Sequence, residues 1–400
     1  MTLSRRGFVA GMATAAVVRP LRLGAQRRQQ SMPADRFDPW IEVDPEALAH
    51  NVDVVSRLSG GRPILAVIKN NAYGLGLEII ARLLEPRDEI AGFAVVKAEA
   101  ALRLREAGIR KPVLLMGLFG DEDGAELVDR GVHLAYTTDD AADRAQRAAR
   151  VAGRPARGHI YLDTGMSRMG VPYHRALPWM EELVRRNVAV DGTFMAFTEE
   201  PEFDREQLRR FLEVTSSARS AGVELGTIHA ASSNGVYHLP EAHLDMVRPG
   251  IALFGGYPSR PDEERDLGAL VPAVRLRARV VRVERLRPGD GVSYGRRYVA
   301  EEPVWIATLP VGHTDGLPRE AVTGQQVLVG DRLYPVIGAV SASHSIIEVG
   351  PEQTVRVGDV ATLLGSDRPE LHPNAVAEAT GRSVYDILMH LNPGLPKIVL

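Results

Sequence analysis

Between residues 63 and 250 the sequence repeats one pattern: a short apolar run, then a longer segment with apolar residues at helical spacing, then another short run. The runs are PILAVI (63–68), GFAVV (92–96), PVLLMG (112–117), HLAYT (133–137), GHIYLD (158–163), VDGTFMAF (190–197), GTIHA (226–230) and DMVRPG (245–250). Largely apolar runs of this length read as strands covered on both faces, and segments such as AEAALRLREAG and EQLRRFLEVTSSARSAG read as helices. Parallel strands need long crossovers, which these helical segments supply. Eight such units predict an α/β fold built on a parallel (β/α)8 barrel of the TIM type; a doubly wound sheet shares the alternation.

After about residue 270 the apolar period drops to two. VRLRARVVRV, VWIATLPVG, QVLVG, RLYPVIGAV, SIIEV and VATLLG, separated by turn residues, predict a C-terminal all-β domain over 270–400, with a short helix at SVYDILMHL. The barrel domain is expected over 37–269 and opens on WIEV. A helix start follows, with Asp44 as N-cap, Pro45 in the first helical position and Leu48, Val52 and Val55 at helical spacing.

The N-terminus has the form of an export signal. Arg5 and Arg6 precede GFVAGMATAAVV, an apolar stretch too short to span a bilayer. Twin arginines in that setting predict a Tat-type signal over 1–25, cleavage after Ala25 and a periplasmic location, or a cytoplasmic one where the signal does not function. Residues 26–36, polar and patternless, predict a disordered linker. No later apolar segment is long enough to cross a membrane. The chain has no cysteine, so disulfide and thiolate chemistry are excluded. A net charge of -3 gives no basic footprint for nucleic acid. No HExxH or acid/histidine cluster has metal-ligand spacing, and no GxGxxG follows a strand, so neither a metal centre nor a Rossmann dinucleotide site is expected.

The first apolar run continues as ILAVIKNNAYGLG, which puts Lys69 where strand gives way to loop. That end of a barrel strand is where such folds carry their chemistry. A lysine there is ordinarily solvated. A desolvated one gives up its proton and can form a Schiff base with pyridoxal 5'-phosphate. Tyr73 lies four residues on, within reach of a phosphate bound nearby.

AVIKNNAYGLG resembles the cofactor-lysine signature of the alanine racemase family, a group of fold-type III pyridoxal-phosphate enzymes. FAVVKAEAALRLREAGI, LDTGMSRMG, HAASS, VRPGIALFG, RVVRVERL, GDGVSYGR and IATLPVGHTDG resemble that family in the same order, so the likeness runs over about residues 37–400. The resemblance implies an amino-acid racemase, dimeric through active sites shared between two copies of the chain. It implies that Lys69 is the Schiff-base lysine and one catalytic base, and that Tyr294 of VSYG is the other, acting in the neighbouring subunit's site. Tyr73, Ser233, Gly250 and Ile251 match phosphate-binding positions, and Arg248 matches an arginine facing the pyridine nitrogen. Arg168 matches an arginine beside the cofactor's phenolic oxygen and the substrate carboxylate. Opposed bases suit racemisation because the α-proton must leave one face and return on the other. A tyrosine with an ordinary pKa near 10 needs roughly 4 kcal/mol of help to serve as a base near pH 7, and positive charge is the obvious source. An arginine cannot yield its proton to the ring nitrogen, which limits delocalisation and favours simple proton return.

The resemblance breaks at a few positions. Tyr161 stands where the family has a lysine whose carbamate orients the arginine, and a phenol cannot supply that charge at neutral pH. Ala196 replaces a histidine that would link the tyrosine base to Arg248. His313 replaces a tyrosine at the substrate end, and Ala342 and Ser343 replace a Met–Asp pair that contacts the substrate carboxylate. The cofactor positions stand, so these changes imply altered substrate choice or rate. A lyase or decarboxylase of the same fold and a non-catalytic cofactor- or amino-acid-binding paralogue stay open as alternatives. The missing cysteine argues against the decarboxylase branch. The sequence does not name the amino acid.

Overall fold

The computed structural model describes residues 36–400, so the signal expected over 1–25 and all but the last residue of the linker lie outside the described residues. After β1 (Trp40–Val43) and a helix over Pro45–Leu58 come β2 (Ile64–Val67), β3 (Ile90–Val95), β4 (Val113–Leu115), β5 (His133–Tyr136) and β6 (Arg157–Asp163). A two-residue β7 (Val171–Pro172) pairs only with β6, and β8 (Ala189–Phe194) and β9 (Thr227–His229) complete the series. Strands β2 to β6, β8 and β9 pair in parallel in chain order, with helices in the connections.

The eighth run, over 245–250, forms no regular strand; Pro249 within it has no N–H to give to a ladder. It nevertheless closes the ring. Met246 bridges His229 and Val247 bridges Ile64. The N–H groups of Leu65 and Val67 donate to the carbonyls of Val247 and Pro249, each at 2.9 Å, and Val247 N–H donates to Pro63 at 3.0 Å.

Strand alternation divides the core in two. Leu65, Val67, Ala94, Leu114, Ala135, Tyr161, Phe194 and Met246 form one cluster. Their chain neighbours Ile64, Ala66, Phe93, Val95, Val113, Leu115, Leu134, Tyr136, Ile160 and Leu162 belong to the large cluster that includes residues of the surrounding helices. The smaller cluster fills the barrel interior, as a period of two requires. Lys69 continues the parity of Leu65 and Val67, and therefore emerges on the interior side at the barrel mouth.

The second domain is a nine-stranded sheet. It contains β10 (Val274–Arg279), β11 (Arg282–Leu286), β14 (Val304–Leu309), β15 (Gln326–Val329), β16 (Arg332–Ile337), β17 (Ser345–Gly350), β18 (Val360–Leu364) and β19 (Lys397–Val399). A separate small ribbon pairs β12 (Gly291–Val292) with β13 (Tyr298–Val299). The ninth strand of the large sheet is β1. WIEV, read from sequence as the opening of the barrel domain, pairs antiparallel with β10 and parallel with β19. A four-residue strand does not reveal its partner, and here both partners lie more than two hundred residues away. The helix after it follows the sequence reading: Asp44 Oδ1 accepts from the N–H groups of Glu46 and Ala47, both at 3.0 Å, with Pro45 in the first turn.

SVYDILMHL forms the helix Val384–Met389, preceded by a helix over Pro373–Thr380 that the sequence reading did not include. The later helix packs on the loop after Lys69, so closely that a Cβ on Gly74 would lie 2.5 Å from the Leu388 carbonyl oxygen. That contact carries Tyr385 to the barrel mouth. Among the described residues no helix is long and apolar enough to cross a membrane.

Candidate active site

Lys69 begins a short turn of unusual hand. Asn70, Asn71, Ala72 and Tyr73 all have φ between 51° and 56°, which is left-handed helical backbone. Asparagine tolerates that region better than most residues, whereas alanine and tyrosine do not. The turn is held by Ala72 N–H to Ile68 O at 3.1 Å, Gly74 N–H to Asn70 O at 3.2 Å and Leu77 N–H to Asn71 Oδ1 at 3.1 Å. Strain imposed on four consecutive residues is characteristic of a site whose surroundings fix the geometry. The result is a half-buried Lys69 and a fully enclosed Tyr73 one turn on.

Both line a cavity of about 360 Å³ with Tyr161, Arg168, Phe194, Ala196, Glu199, Ser232, Ser233, Arg248, Gly250, Ile251 and Tyr385. A roomier cleft of about 580 Å³ runs along the outer side of the same loop, but it holds neither Arg248 nor the serines, so the chemistry belongs to the smaller one. Burial lowers the Lys69 pKa from its ordinary value, Arg168 lowers it further, and Glu199 opposes them. The amine is thereby biased toward its neutral, nucleophilic form.

One end of the cavity suits a phosphate. Ser233 Oγ accepts from Gly250 N–H at 3.0 Å and from Ala252 N–H at 3.2 Å, which ties two loops together. A Cβ on Gly250 would lie 2.1 Å from the Tyr73 hydroxyl, so only glycine allows this approach. Ser232 Oγ is buried and has no hydrogen-bond partner in the chain. An orphaned buried hydroxyl ordinarily costs about 1–3 kcal/mol, and a phosphate oxygen would satisfy it. The Tyr73 and Tyr385 rings flank the same end, their centroids 6.4 Å apart, and burial pushes both phenols above their ordinary pKa, so they remain donors. These residues fit the phosphate group of pyridoxal phosphate.

Arg248 lies in the barrel interior and is buried. It donates to Met195 O at 2.6 Å, to Ala230 O at 3.2 Å and to His229 Nδ1 at 3.0 Å, and sits 5.1 Å above the Phe194 ring. Arginine only donates, so His229 Nδ1 accepts and its Nε2 carries the proton, which goes to His159 Nδ1 at 2.9 Å. Burial lowers the Arg248 pKa to about 10, still leaving a cation at neutral pH. Burial holds the His159 pKa down at about 3 and that of His229 well below its ordinary value.

This has a consequence for acid stability. Both imidazoles stay neutral when folded and protonate near 6.5 when unfolded, so their contribution is complete above that pH and is lost progressively as pH falls below it toward the folded values. The melting temperature should fall between pH 7 and 5, where ordinary carboxylates with pKa near 4 contribute little. A flat thermal profile over that window would contradict the neutral chain.

Tyr161 is buried and stacks on Phe194 with centroids 4.3 Å apart, and Phe194 in turn stacks on His229 at 5.2 Å. The phenol is therefore part of an aromatic wall. Arg168, nearby on an Asp163-stapled turn, is exposed, and among the described residues its guanidinium has no hydrogen bond or ion pair. Ala196 leaves open space at the cavity wall, its carbonyl accepting from Gln207 Nε2 at 3.2 Å.

The remaining expected residues lie elsewhere. Tyr294, His313, Ala342 and Ser343 do not line the Lys69 cavity. They group on the β domain: His313 N–H donates to Ser341 O at 3.0 Å, Thr314 N–H to Ala342 O at 3.1 Å, and Ser293 Oγ, beside Tyr294, to Ala339 O at 2.8 Å. His313 accepts from Arg319 at 2.8 Å. Ala342 and Ser343 are exposed, and Tyr294 is 76% exposed.

Sequence reading missed Tyr385, Ser232, Glu199 and the His159–His229 pair. In the sequence Tyr385 is only one position of a short helix, and Ser232 is one of two adjacent serines with nothing to mark it as the buried hydroxyl. Glu199 lies in a polar loop with no motif of its own.

Comparison with known proteins agrees with this geometry. Residues 43–258 match the family "Alanine racemase, N-terminal domain" and residues 273–399 match "Alanine racemase, C-terminal domain". The alanine racemase of Carboxydothermus hydrogenoformans is 34% identical over 373 residues, covering 90% of this chain and 98% of that protein. That of Geobacter sulfurreducens is also 34% identical, over 379 residues, covering 90% and 96%. Among solved structures, the alanine racemase of Streptomyces lavendulae superposes with a TM-score of 0.84 at 30% identity, covering 92% of this chain and 98% of that one. The Bacillus anthracis alanine racemase with bound L-Ala-P gives 0.82 at 29% identity, covering 91% and 95%.

Proposed function

The chain belongs to the alanine racemase family and is an amino-acid racemase, an isomerase, and we propose that it works through pyridoxal phosphate with Lys69 and Tyr294 as opposed bases. The observation that carries this reading is the convergence of Lys69, Arg248 and the Tyr73–Ser232–Ser233–Gly250–Ile251–Tyr385 cradle on one cavity. When bound, pyridoxal phosphate supplies the electron sink that makes an α-proton removable.

The chain's own residues do the rest. Lys69 would hold the cofactor covalently between turnovers and move a proton on one face of the substrate α-carbon. The cradle would hold the phosphate, and Arg248, held by His229 and two carbonyls, would offer a fixed cation to the ring nitrogen. Arg168, which has no hydrogen bond or ion pair among the described residues and lines the same cavity, would take the substrate α-carboxylate. Tyr294 supplies the second face from a second copy of the chain; its exposure and its position outside the Lys69 cavity support a homodimer with shared sites. His313, Ala342 and Ser343 would then approach the substrate with it. The twin-arginine segment supports export to the periplasm before action.

The test is α-proton exchange in deuterated solvent, run on both enantiomers of a panel of amino acids with cofactor-loaded protein. Deuterium should enter the opposite enantiomer from either starting form. A protein that binds amino acids without exchanging the α-proton would refute the reading.

A further inference from the structure

We propose that Glu199 makes this a racemase for amino acids with a cationic side chain, an ammonium or a guanidinium, in preference to small neutral ones. The inference rests on the racemase reading above and names its substrate class.

Glu199 is held in a conformation that side chains rarely adopt, with φ of 66°. The helix Pro201–Ser220 imposes it. Asp204 Oδ1 accepts from Glu199 N–H at 3.1 Å and from Thr198 Oγ1 at 3.1 Å, while Gln207 Oε1 accepts from Thr198 N–H at 2.9 Å. A strained residue pinned from behind presents its carboxylate to the cavity, whose wall it forms with Lys69, Arg168 and Tyr385. Its charge is felt by Lys69, Tyr73 and Tyr385. The side chain is exposed in the open cavity, and partial burial together with the nearby Asp204 and Glu264 carboxylates raises its pKa. No hydrogen bond or ion pair of the carboxylate exists among the described residues.

In the working enzyme the two nearby cations are committed. Lys69 works at the substrate α-carbon, where its amine must be neutral to take a proton, and Arg168 faces the substrate α-carboxylate. Glu199 is then left with a negative charge in a cavity from which the substrate has expelled water. A neutral side chain leaves that charge unpaired, which is costly in a shielded site. An acidic side chain is repelled by it. An ammonium or guanidinium satisfies it, and discrimination follows from both the attraction and the two penalties. Ala196 and Thr198, both small, line the same wall and leave room for a longer side chain.

The experiment compares holoenzyme with Glu199→Gln and Glu199→Asp. The first measurement is kcat/KM for lysine, alanine and glutamate by α-deuterium exchange. The second is the Kd of α-methyllysine and α-methylalanine, which have no α-proton and report binding without turnover. Wild type should favour lysine over alanine in both measurements. In Glu199→Gln the lysine-to-alanine ratio should fall at least about tenfold, as expected for loss of one desolvated charge pair, with glutamate gaining relative to lysine, and Glu199→Asp should retain part of the preference. An unchanged ratio in Glu199→Gln, or a wild type that exchanges alanine but not lysine, overturns the inference while leaving the racemase reading intact. Failure of all three amino acids to exchange in wild type refutes both.

Discussion

Lys69→Ala should be colourless after incubation with pyridoxal phosphate, incorporate no label on borohydride reduction, and lose roughly 10⁴-fold or more of its racemase activity. The variant loses both a covalent anchor and a base, so the effect exceeds that of any other single substitution in the cavity. The fold should survive. Lys69 is only half-buried, and the left-handed turn after it is held by backbone bonds and by Asn71, none of which uses the ammonium group. Burial and Arg168 lower its pKa, which favours the neutral, nucleophilic amine. A yellow, reducible Lys69→Ala protein would place the attachment elsewhere and remove the basis for the assignment.

Tyr294→Phe should have a different signature. Losing one of two opposed bases should lower racemisation about 10²–10⁴-fold, the usual worth of a positioned proton-transfer group. The exchange is expected to become lopsided. The enantiomer whose α-proton faces Lys69 should still wash into deuterated solvent, whereas the other should not. Because the side chain is 76% exposed in the single chain, its loss should leave the melting temperature of the protomer nearly unchanged. Equal residual exchange from both enantiomers would show that Tyr294 is not a face-specific base.

Much of this was legible in the sequence for identifiable reasons. The barrel strands announced themselves because buried parallel strands are apolar without interruption, and Lys69 could be placed because a charged residue ends such a run abruptly. The exceptions follow from physics that one sequence does not display. Residues 245–250 close the barrel by isolated bridges because Pro249 cannot join a ladder, yet their apolar content looks like a strand. Strand β1 pairs with β10 and β19 across the whole length of the chain, and four residues do not encode that choice. Tyr385 enters the site only because its helix docks on the Gly74 turn, a tertiary contact. Glu199 matters through the company it keeps, and electrostatic neighbourhood is not a sequence pattern.

The departures expected to matter near the substrate acquire physical content. Tyr161 is an aromatic wall stacked on Phe194, and Ala196 is an opening. Arg168 lines the cavity without a hydrogen bond or ion pair among the described residues. Arg248 keeps its place without the missing histidine because His229 and the carbonyls of Met195 and Ala230 already satisfy it.

The shared-site reading is tested most directly by complementation. Lys69→Ala and Tyr294→Phe chains, each nearly inactive alone, are mixed under conditions that allow subunit exchange. In a mixed dimer one site inherits both defects and the other neither. Random pairing makes half the dimers mixed, so activity should return to about a quarter of the wild-type rate per site. If the mixture stays as inactive as its two components while exchange of subunits is demonstrated, Lys69 and Tyr294 do not meet across two chains.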